Sequence, residues 1–149
     1  MSIKEQLMAD MKEAMKAREN GRLALKVIRM ARADIRQAEI DSGHADFNDD
    51  QVLEVLRKEM KQYKETLEEI RSSGRQDLID GIHDEMTVLQ KYLPAEMSEE
   101  EIRTAVQETV NELDPEKRSL GNVMKAVMPR LKGRADGKAV NRIVREFLS

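Results

Sequence analysis

The 149-residue chain is 37% charged and 40% hydrophobic with a net charge of −3, which excludes a disordered chain. Aromatic residues make up only 3%, Trp is absent and Met numbers 10, so the core must be Leu, Ile, Val, Met and Ala, a set that suits helix-on-helix packing and not sheets. Without Cys there is no disulfide or thiolate chemistry. A polar start, Met1-Ser2-Ile3-Lys4-Glu5, and the lack of any apolar run near ~20 residues predict neither secretion signal nor membrane span. The expectation is a cytoplasmic, all-α protein.

Ser2-x-x-Glu5 reads as a capping box opening a first helix, with Ile3, Leu7, Met11, Ala14 and Met15 in helical period. Asn20-Gly21 marks a break. A second amphipathic helix carries Ala24, Val27, Ile28, Ala31, Ile35 and Ala38 and ends at Asp41-Ser42-Gly43. Asn48-x-x-Gln51 caps a third, with Asp49 and Asp50 on its positive dipole end. Its Leu53, Leu56, Met60, Tyr63, Leu67 and Ile70 alternate spacings of three and four, like a coiled-coil seam. Ser72-Ser73-Gly74 ends it. A fourth helix, with Leu78, Ile82, Met86, Leu89 and Leu93, should fold back as an antiparallel hairpin.

Pro94 stops that helix, because the residue before a proline avoids the helical region. The expected division is an N-terminal helical bundle, 1–93, and a C-terminal three-helix domain, 94–149. Ser98-x-x-Glu101 caps a fifth helix whose inner face is Ile102, Ala105, Val106, Thr109, Val110 and Leu113. A sixth runs from about Ser119 to Lys132, and Pro129 should kink or end it. Asp136 caps a seventh, with Val140, Ile143, Val144, Phe147 and Leu148 inward.

Charge is unevenly spread. From Pro115 to Ser149 there are 9 Lys/Arg against 3 Asp/Glu. Lys125, Arg130, Lys132, Arg134, Lys138, Arg142 and Arg145 fall in one helix–turn–helix stretch. Lys138, Arg142 and Arg145 share a stripe opposite the apolar face of the last helix. Cations beside free N–H groups at a helix start suit a phosphate. The competing reading is a solvated face pairing with the chain's own acids. A second basic stripe, Arg18, Arg22, Lys26, Arg29, Arg32 and Arg36, is better read as pairing with acidic neighbours. Asp34, near the apolar side, is expected to partner an arginine. His44 and His83 lack the spacing of a zinc site. The serines sit at caps and turns, with no nucleophile-and-base context. No catalytic residue and no cofactor or metal site is predicted.

Two stretches, Gly121-Asn122-Val123-Met124 and Leu131-Lys132-Gly133-Arg134-Ala135-Asp136-Gly137-Lys138-Ala139-Val140-Asn141, resemble the tail domain of the GatB/YqeY family. That tail ends the GatB component of the bacterial glutamyl-tRNA(Gln)/aspartyl-tRNA(Asn) amidotransferase. Tyr92-Leu93-Pro94, Ser98-Glu99-Glu100-Glu101, Leu25 to Met30 and Gly74-Arg75-Gln76-Asp77-Leu78 resemble the standalone YqeY branch, so the similarity spans nearly the whole chain. The resemblance implies a helical bundle joined to a three-helix tail that contacts tRNA. It carries that role to Lys125, Lys132, Arg134, Lys138, Asn141 and Arg142, to which the charge pattern adds Arg130 and Arg145. It also implies an amidotransferase or synthetase partner. The family label attaches a carbon–nitrogen ligase activity with glutamine as amide donor, but the ATP-using cradle and serine glutaminase of that chemistry have no counterpart here. Three readings follow: a tRNA-binding accessory protein, a protein-interaction module using the hairpin of helices three and four, and a ligase.

Overall fold

In the computed structural model, which describes residues 1–43, 46–131 and 133–149, the helix signals become seven α-helices with no strand among those residues. They divide into two compact units, Met1–Leu93 and Pro94–Ser149.

In the first unit, Ser2 accepts a hydrogen bond from the Glu5 amide and opens α1, Ile3–Lys16. A 3-10 turn, Arg18–Gly21, leads into α2, Arg22–Ser42. Gly21 is buried, and a Cβ there would lie 2.0 Å from the Ala14 carbonyl oxygen. Only a residue without a side chain lets α2 start so close to α1. The Asn48–Gln51 capping box is complete at the start of α3, Asp49–Ile70. Gly74 ends the following turn at φ 74°, a left-handed conformation that glycine adopts without steric penalty. α4, Gln76–Gln90, then packs against α3 and α2. Leu7, Ile28, Leu56 and Leu89 are each nearly or fully inaccessible in the shared core, and such a side chain contributes about 1.5–3 kcal/mol by leaving water.

Along α3 the buried residues are Val52, Leu56, Glu59, Met60 and Tyr63, while Leu53, Leu67 and Ile70 are only half-buried. Leu56, Met60 and Tyr63 of the expected seam are thus buried, and Val52 and Glu59 join them. Because α3 touches α1, α2 and α4, its core face is wider than the stripe a two-helix seam needs.

The second unit packs α5, Glu99–Glu112, α6, Leu120–Leu131, and α7, Gly137–Leu148, each against the other two. Val106, Val123, Val127, Val140, Ile143 and Val144 are fully buried at their shared core. Pro129 does not end α6, which runs through it to Leu131. In the last turn a proline forfeits a single backbone bond, and Leu131, 1% exposed, anchors the segment beyond.

Candidate nucleic-acid interface

The cations of the second unit divide by what they touch. The Arg142 guanidinium donates to Glu99 at 2.9 Å and to Glu146 at 3.0 Å, and Arg103 donates to the same two carboxylates at 3.2 and 2.6 Å. This closed quartet ties α5 to α7. Arg142 and then Arg103 hold the Glu99 carboxyl below the usual range, and Arg103 does so first for Glu146. Arg130 donates to Glu112. Arg134 donates from Nε to the Ala95 carbonyl at 2.9 Å and stands 3.8 Å from Glu101, while its own carbonyl accepts the Met97 amide at 2.8 Å. It straps the entry of α5 to the turn before α7.

Lys125 on α6 and Lys138 and Arg145 on α7 are exposed and have no ion pair among the described residues. Asn141 is half-buried on the same helix. Lys132 lies outside the described residues. The α7 N-terminus already has an occupant, since Asp136 accepts from the Lys138 amide at 3.3 Å. A phosphate would share that end with a carboxylate, so its attraction must come from side-chain cations. Over the whole unit, 94–149, the 10 Lys/Arg face 10 Asp/Glu. Acids of α5 offset much of the excess counted from Pro115.

Sequence reasoning missed the quartet's acids. Glu99–Arg103 and Arg142–Glu146 are both spaced i, i+4, and that signal was readable. The bonds joining the two pairs span 43 residues and leave no local trace.

In the first unit three of the six cations of the stripe are tied to acids: Arg22 to Glu19 at 3.6 Å, Lys26 to Glu85 at 3.0 Å and Arg36 to Glu39 at 3.6 Å. Arg32 reaches the Met11 sulfur at 3.1 Å. Glu39 is buried and accepts from Lys4 at 2.6 Å and the Phe47 amide at 2.7 Å, and Lys4 is the main reason its carboxyl titrates low. It borders a cleft of about 1230 Å³ whose walls carry both signs of charge, Lys4, Arg32 and Arg36 facing Asp46, Asp49 and Asp50.

Asp34 does not partner an arginine among the described residues; its neighbour is Glu59. Glu59 is 5% exposed and neither oxygen has a hydrogen-bond partner among the described residues, nor does the Tyr63 hydroxyl. Burial first, and the Asp34 carboxylate second, push the Glu59 carboxyl up to about 9. His83 is exposed on α4, His44 lies outside the described residues, and no group of three metal-ligating side chains forms among those described. No helix is long and apolar enough to cross a membrane among the described residues.

The family model described as Yqey-like protein matches residues 4–148. A protein of Pyrenophora tritici-repentis named altered inheritance of mitochondria protein 41, mitochondrial, is 32% identical over 146 residues, covering 95% of this chain and 78% of that one.

Proposed function

From the premise that this chain belongs to the YqeY-like family, we propose that it is a tRNA-binding accessory protein related to the tRNA-dependent amidotransferases, and that it acts through the second unit. The observation that carries this reading is the exposed set Lys125, Lys138 and Arg145, with no carboxylate on them among the described residues. Arg130, Arg134 and Arg142 serve the fold first and lend charge second. Contacts of this kind grip phosphates and carry no base preference. Phe147 is half-buried in the core of the unit, so base stacking has no platform there. The cytoplasmic placement expected from the sequence belongs to this proposal; the fungal relative's own name assigns that relative to mitochondria.

The test is tRNA binding titrated with salt. If each of the three cations neutralises one phosphate, replacing Lys125, Lys138 and Arg145 together with Ala should reduce the log–log salt slope by about 2 to 3. A triple variant with the wild-type slope and affinity removes the site.

A second reading, a protein-docking module along α3 and α4, is favoured by Leu78, 44% exposed, and by half-buried Leu67 and Ile70. Leu78→Ser should then weaken partner binding and leave tRNA retention unchanged. The ligase alternative demands glutamate release from glutamine in the presence of ATP and misacylated tRNA. Turnover above background would replace the accessory reading with it.

A further inference from the structure

The face of α2 turned away from its own core carries an order that the tRNA reading does not use and that packing uses only where Lys26 holds Glu85 and Asp34 meets Glu59. Leu23, Met30 and Ile40 are 40%, 41% and 58% exposed, three of the large apolar side chains left in water. Their spacings of seven and ten place them on one heptad seam, whose remaining positions are Lys26, Ala33 and Gln37, all exposed. Over the 18 residues from 23 to 40 this seam is about 27 Å long. One flank repeats Arg22, Arg29 and Arg36, and the other holds Asp34 and Asp41, again all exposed.

We propose that this face is a docking surface for a second copy of the chain, the two α2 helices pairing side by side in parallel about a two-fold axis. Charge complementarity selects that occupant. In a parallel pair, a flanking residue meets the residue five positions later on the other helix. Arg29 therefore meets Asp34 of the second copy and Arg36 meets Asp41, and symmetry makes each contact twice. An antiparallel pair would set arginine against arginine and aspartate against aspartate.

Arg29, Arg36 and Asp41 are accessible, whereas Asp34, though exposed, also stands beside Glu59 of α3, so the Arg36–Asp41 contact carries most of the selection. Arg29 has no ion pair among the described residues, and Arg36 holds Glu39 only at 3.6 Å. Asp41 accepts a hydrogen bond from Gln37 at 2.8 Å and keeps its second oxygen for a partner. Lys26 and Gln37 in the seam weaken the pair, while polar seam residues fix register. The association is consequently concentration-dependent and not obligate.

Sedimentation equilibrium of the full chain without RNA, from micromolar to millimolar protein, tests this. Wild type should pass from monomer to dimer. Met30→Lys and Ile40→Lys, which touch no core position, should each abolish the dimer. Arg36→Asp alone and Asp41→Arg alone should each weaken it by roughly fivefold or more, because two symmetric attractions become repulsions. The double variant Arg36→Asp with Asp41→Arg should recover wild-type affinity, with far-UV circular dichroism checking the fold of each. Monomer at every concentration overturns the proposal. So does a dimer that survives Met30→Lys, or a double variant no tighter than the single ones. None of these outcomes depends on tRNA binding.

Discussion

Glu59 makes the first unit sensitive to alkali in a way that can be worked from its surroundings. Its carboxyl is buried beside the Asp34 carboxylate and titrates at about 9, against 4.5 when unfolded. Between those values the folded chain holds a proton that the unfolded chain has released. The unfolded state then binds fewer protons, so stability falls as pH rises. The limiting slope is about 1.4 kcal/mol per pH unit. Between pH 5 and 8 that limit is about 4 kcal/mol, and relaxation or water entry at the buried site should lower it toward about 2 kcal/mol. Glu59→Gln keeps the shape and cannot ionise. Its stability advantage over wild type should therefore grow steadily across this window and level off above about pH 9. Tyrosine fluorescence during urea unfolding reports this unit alone, because the chain's two tyrosines, Tyr63 and Tyr92, lie in it and Trp is absent. A difference between variant and wild type that stays flat from pH 5 to 8, or shrinks, would refute a neutral buried Glu59.

Other perturbations have equally definite signs. Gly21→Ala pushes a methyl into the Ala14 backbone and should cost about 2 kcal/mol, read as a lower urea midpoint by the same fluorescence. The two tyrosines should respond oppositely to loss of their hydroxyls. Tyr92 donates to Asp10 at 2.5 Å, so Tyr92→Phe should lose about 1 kcal/mol, whereas the buried Tyr63 hydroxyl has no partner among the described residues and Tyr63→Phe should lose nothing or gain up to about 1 kcal/mol. In the second unit, Glu99 and Glu146 titrate below the usual carboxylate value, so their contribution is present above about pH 4.5 and lost as pH falls below it. The protection factors of the α7 amides, which correct exchange for its intrinsic pH dependence, should fall on acidification through that range, and Glu99→Gln should make them less dependent on pH.

What could be read from the residues, and what could not, follows from the range of the forces involved. Helix starts at Ser2, Asn48, Ser98 and Asp136 depend on neighbours two or three residues away, and each of these side chains accepts a backbone N–H, with the reciprocal half of the capping box formed at Asn48. The inner face of α7 was equally legible, because Val140, Ile143 and Val144 have to be hidden somewhere and helical period leaves one choice. Glu59 was not legible. A glutamate on a charged helix reads as solvent-facing, and only the rotated face Val52, Leu56, Glu59, Tyr63, set by three packing partners, brings it inside. The basic cluster shows the same limit from the other side. Charge is a property of sequence, but free charge is a property of structure. Glu112 and Glu99 lie 18 and 43 residues from the arginines they engage, and a count begun at Pro115 leaves both out. The weight in any phosphate-binding argument accordingly moves from Arg130, Arg134 and Arg142 to Lys125, Lys138 and Arg145, which are exposed and hold no ion pair among the described residues.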